Sequence, residues 1–264
     1  MNPDLLAYAE HWFGNLTVDL SRYAVFAISV WFIIWVVLRQ PLRNRKLRQA
    51  TPPTRQLITE FAVSLRTVAI FSTVGLLMFG LDRAGLITGP DTALRWGWKW
   101  GVVSLVAMVL AHDAYFYFTH RAMHHRRLFR MFHMRHHRSH NPSPFSAYSF
   151  DIAEGVVQAA FAPIWMMLIP TSWPVVGIFM IHQIARNTIG HCGYEIFPSN
   201  ASGRPLFGFM TTVTHHDLHH SQGRYNYGLY FSWWDRWMGT EHPQYLTHYA
   251  AAVGHHTPAQ ALAA

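Results

Sequence analysis

Residues 23–38 carry no charge: after Tyr23 the run AVFAISVWFIIWVVL continues to Leu38 and stops at Arg39. Such a stretch is too apolar for a water-exposed surface. At 15 to 16 residues it is a little short of the roughly 20 needed to cross a hydrocarbon core, a deficit that interfacial Trp and Tyr can make up. It reads as a first membrane span. A second apolar stretch covers 67–81 and a third runs from about 98 to 118. The next, 155–182, is interrupted by Pro170 and Pro174, which predicts two half-length helices forming a hairpin. The expected fold class is therefore all-α, an integral-membrane helical bundle of about four transmembrane or hairpin helices.

Charge sets the orientation of these spans. Residues 39–55 hold Arg39, Arg43, Arg45, Lys46, Arg48 and Arg55 and no acid, so this loop is expected to face the cytoplasm. After the third span come Arg121, Arg126, Arg127, Arg130, Arg135 and Arg138, which the same rule assigns to the same side. A hairpin over 155–182 would return the chain to that side. The segment before the first span carries Asp4, Glu10 and Asp19 instead of a basic start, and no small-residue cleavage site follows, so a signal peptide is not expected.

Composition agrees. Charged residues make up 13% of the 264, about half the share of a soluble domain. The net charge of +8 is built almost wholly from arginine, since Lys46 and Lys99 are the only lysines. These arginines flank apolar spans, which excludes a nucleic-acid partner and points to the membrane bilayer. Cys192 is the single cysteine, so no internal disulfide and no thiolate-rich metal site can form.

Fourteen of the 19 histidines fall between positions 112 and 220, and their spacing is more informative than their number. His120 and His124 stand at i and i+4. His133, His136 and His137 form an HxxHH triplet, and His216, His219 and His220 form a second. Chance would produce roughly 0.1 such triplets in a chain of this composition. On a helix each triplet is expected to present its three imidazoles on one face. Neutral imidazole ligates Fe, Zn, Cu or Ni through one nitrogen and keeps the other for an orienting hydrogen bond. Eight imidazoles exceed the needs of one ion, so two metals are inferred. His125 and His215 point about 100° away from their motif neighbours and read as supporting or solvent-facing residues. His112 and His182, at the ends of apolar stretches, are functional candidates whose ligation is left open. His11, His242, His248, His255 and His256 read as ordinary surface or core histidines.

The run HDAYFYFTHRAMHHRRLFRMFHMRHH at 112–137, with GHCGYE at 190–195, HDLHH at 216–220, NYG at 226–228 and WDRWMGT at 234–240, resembles the fatty acid hydroxylase/sterol desaturase superfamily. The resemblance covers roughly residues 98–240. It implies a membrane protein with a cytosolic histidine-rich helical cap that holds two iron ions (Fe2+/Fe3+), with zinc as a substitute metal. These irons activate O2 to hydroxylate or desaturate a membrane lipid, a fatty acyl or sterol-like substrate. Ether-lipid oxidation is an alternative outcome. By the same resemblance the catalytic metal ligands are His120, His124, His133, His136, His137, His191, His216, His219 and His220. Asn187 stands where some relatives have a further histidine, and binds directly, through water, or by orienting a neighbour. Asp113, Glu195 and Asp217 are candidate acceptors for imidazole N–H groups. At 150–154 the sequence FDIAE replaces an HPxE-like motif, with Glu154 keeping its place.

No flavin, nicotinamide, haem or CxxC motif is visible, so electrons would come from an external donor of ferredoxin or cytochrome type, docked on the arginine-rich face. Tyr115, Phe116, Tyr117, Phe118, Trp233, Trp234 and Trp237 either line a lipid route or form an interfacial belt. The chain divides into N-terminal membrane helices and basic loop (1–97), the histidine-motif domain (98–240) and a C-terminal tail (241–264) without evident structure. A non-catalytic metal-binding or transport protein would instead have its ligands along a transmembrane path.

Overall fold

The computed structural model describes residues 3–255; His256 lies outside them. Helix α1 (Pro3–Trp31) runs directly into a π-helical turn, Phe32–Val37. Helix α2 (Thr54–Arg83) returns, a short α3 (Pro90–Arg95) turns the chain, and α4 (Gly97–Met123) comes back. Three segments are long and apolar enough to cross a membrane: 34 residues from Asp4 to Val37, 30 in α2 and 27 in α4. At 1.5 Å per residue they measure roughly 40 to 50 Å, against about 30 Å of hydrocarbon. Such lengths are accommodated by tilt or by ends that stand outside the apolar layer; His120 lies three residues from the end of α4.

The first helix begins far earlier than residue 23. Its charges do not stop it, and two of its carboxylates meet partners. Asp19 pairs with Arg22 and accepts from Ser72 Oγ of α2 at 3.1 Å, and Asp4 pairs with Arg83 at 3.1 Å. His11 stacks on Phe79 with ring centroids 4.2 Å apart.

The hairpin forms as expected, from α7 (Ile152–Leu168) and α8 (Trp173–Gly190). Met78, Met108, Phe161, Trp165, Met166 and Phe179 make one buried cluster joining α2, α4, α7 and α8. Tyr23, Val68, Tyr148, Phe150 and Ile184 make another nearer the cap. Burying such side chains contributes about 1.5–3 kcal/mol each where the alternative is water.

The cap is built at one end of the bundle. Between α4 and α7 lie α5 (Phe129–Phe132), α6 (Met134–His137) and a 3-10 turn, Pro144–Tyr148. Beyond α8 come α9 (Val213–Gln222), α10 (Trp233–Trp237) and α11 (Tyr245–Ala252). Among the described residues, extended pairing is limited to isolated bridges, one of them Lys46 with Tyr194. The basic loop folds onto this same cap. Arg48 pairs with Asp217 through contacts of 2.8 and 3.1 Å, and the Leu47 amide donates to Gly193 O at 3.1 Å. Both arginine-rich segments thus lie at the histidine end.

The tail is not structureless up to residue 255. Helix α11 buries Tyr245 and Tyr249, whose hydroxyls bond Thr212 Oγ1 and the carbonyls of Phe197 and Pro198. Two tyrosines at i and i+4 supply the apolar stripe that its alanine-rich composition conceals.

Candidate metal centre

Nine of the predicted imidazoles converge into two groups. One holds His120, His124, His133, His137 and His219; the other holds His136, His191, His216 and His220. Within each, the potential ligand atoms lie within 4.8 Å of one another. The groups adjoin, with the rings of His137 and His220 5.1 Å apart.

Neither HxxHH triplet serves a single centre. His133 and His137 join the first group while His136 joins the second; His216 and His220 join the second while His219 joins the first. The reason is helical geometry. Residues i and i+4 are about 40° apart around the axis, whereas i+3 lies about 100° from i+4. A helix lying between two centres can therefore feed both. At α6 the backbone assists, since His133 precedes the helix with φ −139°.

Backbone carbonyls set the ring orientations. His120 Nδ1 donates to Tyr227 O at 2.8 Å, His219 Nδ1 to Tyr225 O at 2.7 Å, and His191 Nδ1 to Asn187 O at 2.7 Å. The last is a carbonyl at the end of α8 that has no helical partner. These bonds place the proton on Nδ1 and leave Nε2 with a bare lone pair. Yet the Nε2 atoms face one another. His120 meets His133 at 2.9 Å; His124, His137 and His219 lie at 3.0–3.2 Å; His191 meets His216, His136 and His220 at 2.9, 3.3 and 3.3 Å. Lone pairs converging so closely repel unless a cation sits among them. Nitrogens bound at about 2.1 Å to one ion are separated by ~3.0–3.4 Å, so the donor set fits a metal ion at each group.

Burial keeps these rings neutral. Every member but the half-buried His124 is buried. Desolvation first, and the neighbouring imidazoles second, hold His133, His136, His216, His219 and His220 well below the usual 6.5 and His137 at about 3. Burial lowers His191 to about 4, opposed by its bond to Asn187. Neutral imidazole is the ligating form.

Residues 105–240 match the profile of the fatty acid hydroxylase family, just over half of the chain. The chain belongs to the fatty acid hydroxylase family. It is 31% identical to the Delta(7)-sterol 5(6)-desaturase ERG3B of Gibberella zeae, over 55% of this chain and 44% of that protein. It is 32% identical to the lathosterol oxidase of Mus musculus, over 56% of this chain and 48% of the relative. Identity to methylsterol monooxygenase 1 of Danio rerio is 29%, over 64% and 55%. The matches span about half the length of these relatives. No solved structure matches the chain.

The family region runs from α4 to the end of the WDRWMGT motif, and several of its side chains act differently from expectation. Asp113 accepts no imidazole; it takes the amides of Tyr230 and Phe231 and the indole N–H of Trp233, so it braces the segment after the NYG motif. Glu195 accepts from the amide and hydroxyl of Thr214 and so anchors the start of α9, and Asp217 binds Arg48. The carboxylate that reaches a ring is Glu154, whose Oε1 lies 2.8 Å from His133 Nδ1. Its retained position at the end of FDIAE was the available signal. His215 is fully buried with Nε2 3.5 Å from Asp235 Oδ2, whereas His125 is exposed. Asn187 donates from Nδ2 to Ala147 O at 2.8 Å, alongside its carbonyl contact to His191.

Sequence reasoning missed the carbonyls of Tyr225 and Tyr227, because a backbone acceptor leaves no residue signature. The surrounding motif encodes them indirectly. Asn226 adopts φ 60°, and Asp235 accepts the amides of Tyr227 and Gly228. A Cβ on Gly228 would fall 2.6 Å from Phe231 O and 2.9 Å from Asp235 Oδ2, so only glycine fits there.

His112 and His182 join neither imidazole group. A cavity of about 590 Å³ lies between α1, α2, α7 and α8, with His112 as its contribution from α4. None of Tyr115, Phe116, Tyr117, Phe118, Trp233, Trp234 or Trp237 lines it. Phe118 and Trp237 are exposed, while Phe116 packs 5.0 Å from His120.

Proposed function

We propose that this chain is an O2-dependent di-iron oxidoreductase of the membrane that hydroxylates or desaturates a C–H bond of a lipid. The observation that carries this reading is the convergence of bare Nε2 lone pairs on two adjacent points. His120, His124, His133, His137 and His219 would hold one iron, and His136, His191, His216 and His220 the other. Asn187, one turn before His191, is the candidate further donor to the second. Bound iron would supply the oxidising power drawn from O2; zinc would occupy the same nitrogens without redox chemistry. The protein's part is to hold neutral rings in fixed orientations through Tyr225, Tyr227, Asn187 and Glu154, and to keep water from them by burial. The relatives named as a sterol desaturase, a lathosterol oxidase and a methylsterol monooxygenase support a lipid as substrate. Ligands gathered at one end of the bundle, instead of along a transmembrane path, count against transport.

The histidine-bearing cap would face the cytoplasm, consistent with the arginine-rich segments at that end. Exposed Arg126, Arg127, Arg130 and Arg138 offer a docking face for an acidic ferredoxin or cytochrome. Raised salt should then slow electron transfer; an absence of salt dependence would remove the charge-guided donor. The histidine-motif domain (98–240) would carry the chemistry, with residues 1–97 forming much of the lipid-facing bundle.

The test compares lipids of membranes from cells with and without the protein, beside His136→Ala. A gain of one oxygen identifies hydroxylation and a loss of two hydrogens identifies desaturation. Turnover retained in the His136→Ala variant would sink the ligand set, and metal analysis distinguishes iron from zinc.

A further inference from the structure

The cavity carries polar groups that the imidazole clusters do not use. It lies among the helices read as membrane-embedded, and its walls are largely apolar: Phe71, Val74, Met78, Phe161, Val176 and Phe179 are among them. Set into these walls are His112, Gln158, Gln183, Tyr148 and the Asp19–Arg22 pair. A polar side chain in such surroundings is costly unless something partners it. His112 is 4% exposed and its Nδ1 has no hydrogen-bond partner, and Gln158 Nε2 is likewise buried and unpartnered.

These groups sit in register with the candidate metal centre. His112 precedes His120 by eight residues on α4, Gln158 follows Glu154 by four on α7, and Gln183 precedes His191 by eight on α8. At 1.5 Å per residue those offsets are about 12, 6 and 12 Å along the axes. Spacings of four and eight keep each pair on nearly the same helix face. Tyr148 completes the connection: its hydroxyl donates to Gln183 Oε1 at 2.5 Å, its ring lies 5.9 Å from Phe150, and Phe150 lies 5.3 Å from His136. The polar groups thus form a collar at the end of the cavity nearest the histidines.

The charge of the collar selects what it can hold. Arg22 is the only Arg or Lys lining the cavity, and Asp19 already neutralises it. The lining's other carboxylate, Asp82, lies toward the opposite end of α2 and offers an anion no partner. We infer that this cavity is the lipid site, and that His112, Gln158 and Gln183 hold an uncharged hydrogen-bonding group, a hydroxyl or carbonyl, at the end of the lipid nearest the metal centre. This rests on the proposed oxidoreductase function for its substrate, while binding itself needs no turnover. His112, Gln158 and Gln183 are therefore specificity-determining residues; a free carboxylate is disfavoured and an unsubstituted hydrocarbon lacks the grip.

The test uses the full chain purified in detergent with its metal, and equilibrium binding of three radiolabelled probes: octadecanol, octadecanoate and octadecane. Octadecanol should bind best, with the other two at least several-fold weaker. Gln158→Leu and Gln183→Leu should each weaken octadecanol roughly 2- to 10-fold, the loss of one hydrogen bond, and leave octadecane unchanged, which also reports an intact cavity. Gly177 lines the cavity with nothing within 4 Å of a built Cβ. Gly177→Trp should therefore weaken octadecanol and octadecane alike. Equal affinity for octadecanol and octadecane, or no effect of both glutamine variants, overturns the collar; octadecanoate binding as well as octadecanol overturns the selection for an uncharged group. His136→Ala separates the two claims: octadecanol binding retained with turnover lost supports both, whereas a wild-type protein that binds octadecanol but oxidises no lipid defeats the oxidoreductase reading and leaves the lipid site standing.

Discussion

Oε1 of Glu154 lies 2.8 Å from Nδ1 of His133, with both side chains buried to within 2% of complete exclusion from solvent. The contact joins α7, a hairpin helix of the bundle, to a ring of the cap. A carboxylate this close to Nδ1 would steady the ring and raise the basicity of the opposite nitrogen once a metal is bound there. Glu154→Gln should therefore lower metal affinity by about 10- to 100-fold. Metal retained against a graded chelator measures it, and unchanged retention would mean that the carboxylate is only a packing element.

His136 and His137 are sequence neighbours that serve different imidazole groups. With two irons bound, His136→Ala and His137→Ala should each retain about one metal per chain and lose turnover. His219→Ala and His220→Ala should repeat the pattern with the groups exchanged. Complete metal loss in every single variant would mean the two groups load only together.

Acid should empty the site. Folded His137 and His191 are held at about 3 and about 4, while unfolded histidine titrates near 6.5. Below 6.5 the unfolded chain takes up protons that the folded chain refuses, so protonation favours unfolding. The stability these neutral rings contribute is whole above 6.5 and is lost as pH falls toward 4 and then 3. Thermal unfolding and metal content followed from pH 7 to pH 4 should both decline; a flat profile would contradict the burial of neutral rings.

Gly228→Ala tests the backbone clamp. The added methyl would collide with Phe231 O and Asp235 Oδ2, an overpacking expected to cost about 1–3 kcal/mol. Because Tyr227 O orients His120, the variant should also bind metal less tightly. A normal melting midpoint with normal metal content would show that the segment can shift freely.

Much of this protein is written in local patterns. Charge-free runs dictate the helices, since an apolar segment without polar breaks must satisfy its backbone internally in lipid. Pro170 and Pro174 dictate the hairpin, and the four-residue spacing of histidines dictates which rings can meet on one helix. The start of α1 was hidden because Asp19 looks like a surface residue until Ser72 of α2 is brought to it. Helix α11 was hidden because its two tyrosines acquire a purpose only against Thr212, Phe197 and Pro198.

By itself, then, the sequence determined a bundle of apolar helices and eight of the histidines, because both follow from periodicity and residue chemistry; His191 came only with the family resemblance. Tertiary structure decided how those rings divide. It sent adjacent His136 and His137 to different groups, gave the task of orientation to the carbonyls of Tyr225, Tyr227 and Asn187, and passed over Asp113, Glu195 and Asp217 in favour of Glu154. The physical reason is that ligand grouping depends on where helices from distant parts of the chain place their ends, and a backbone carbonyl is present at every residue, so only its position distinguishes it.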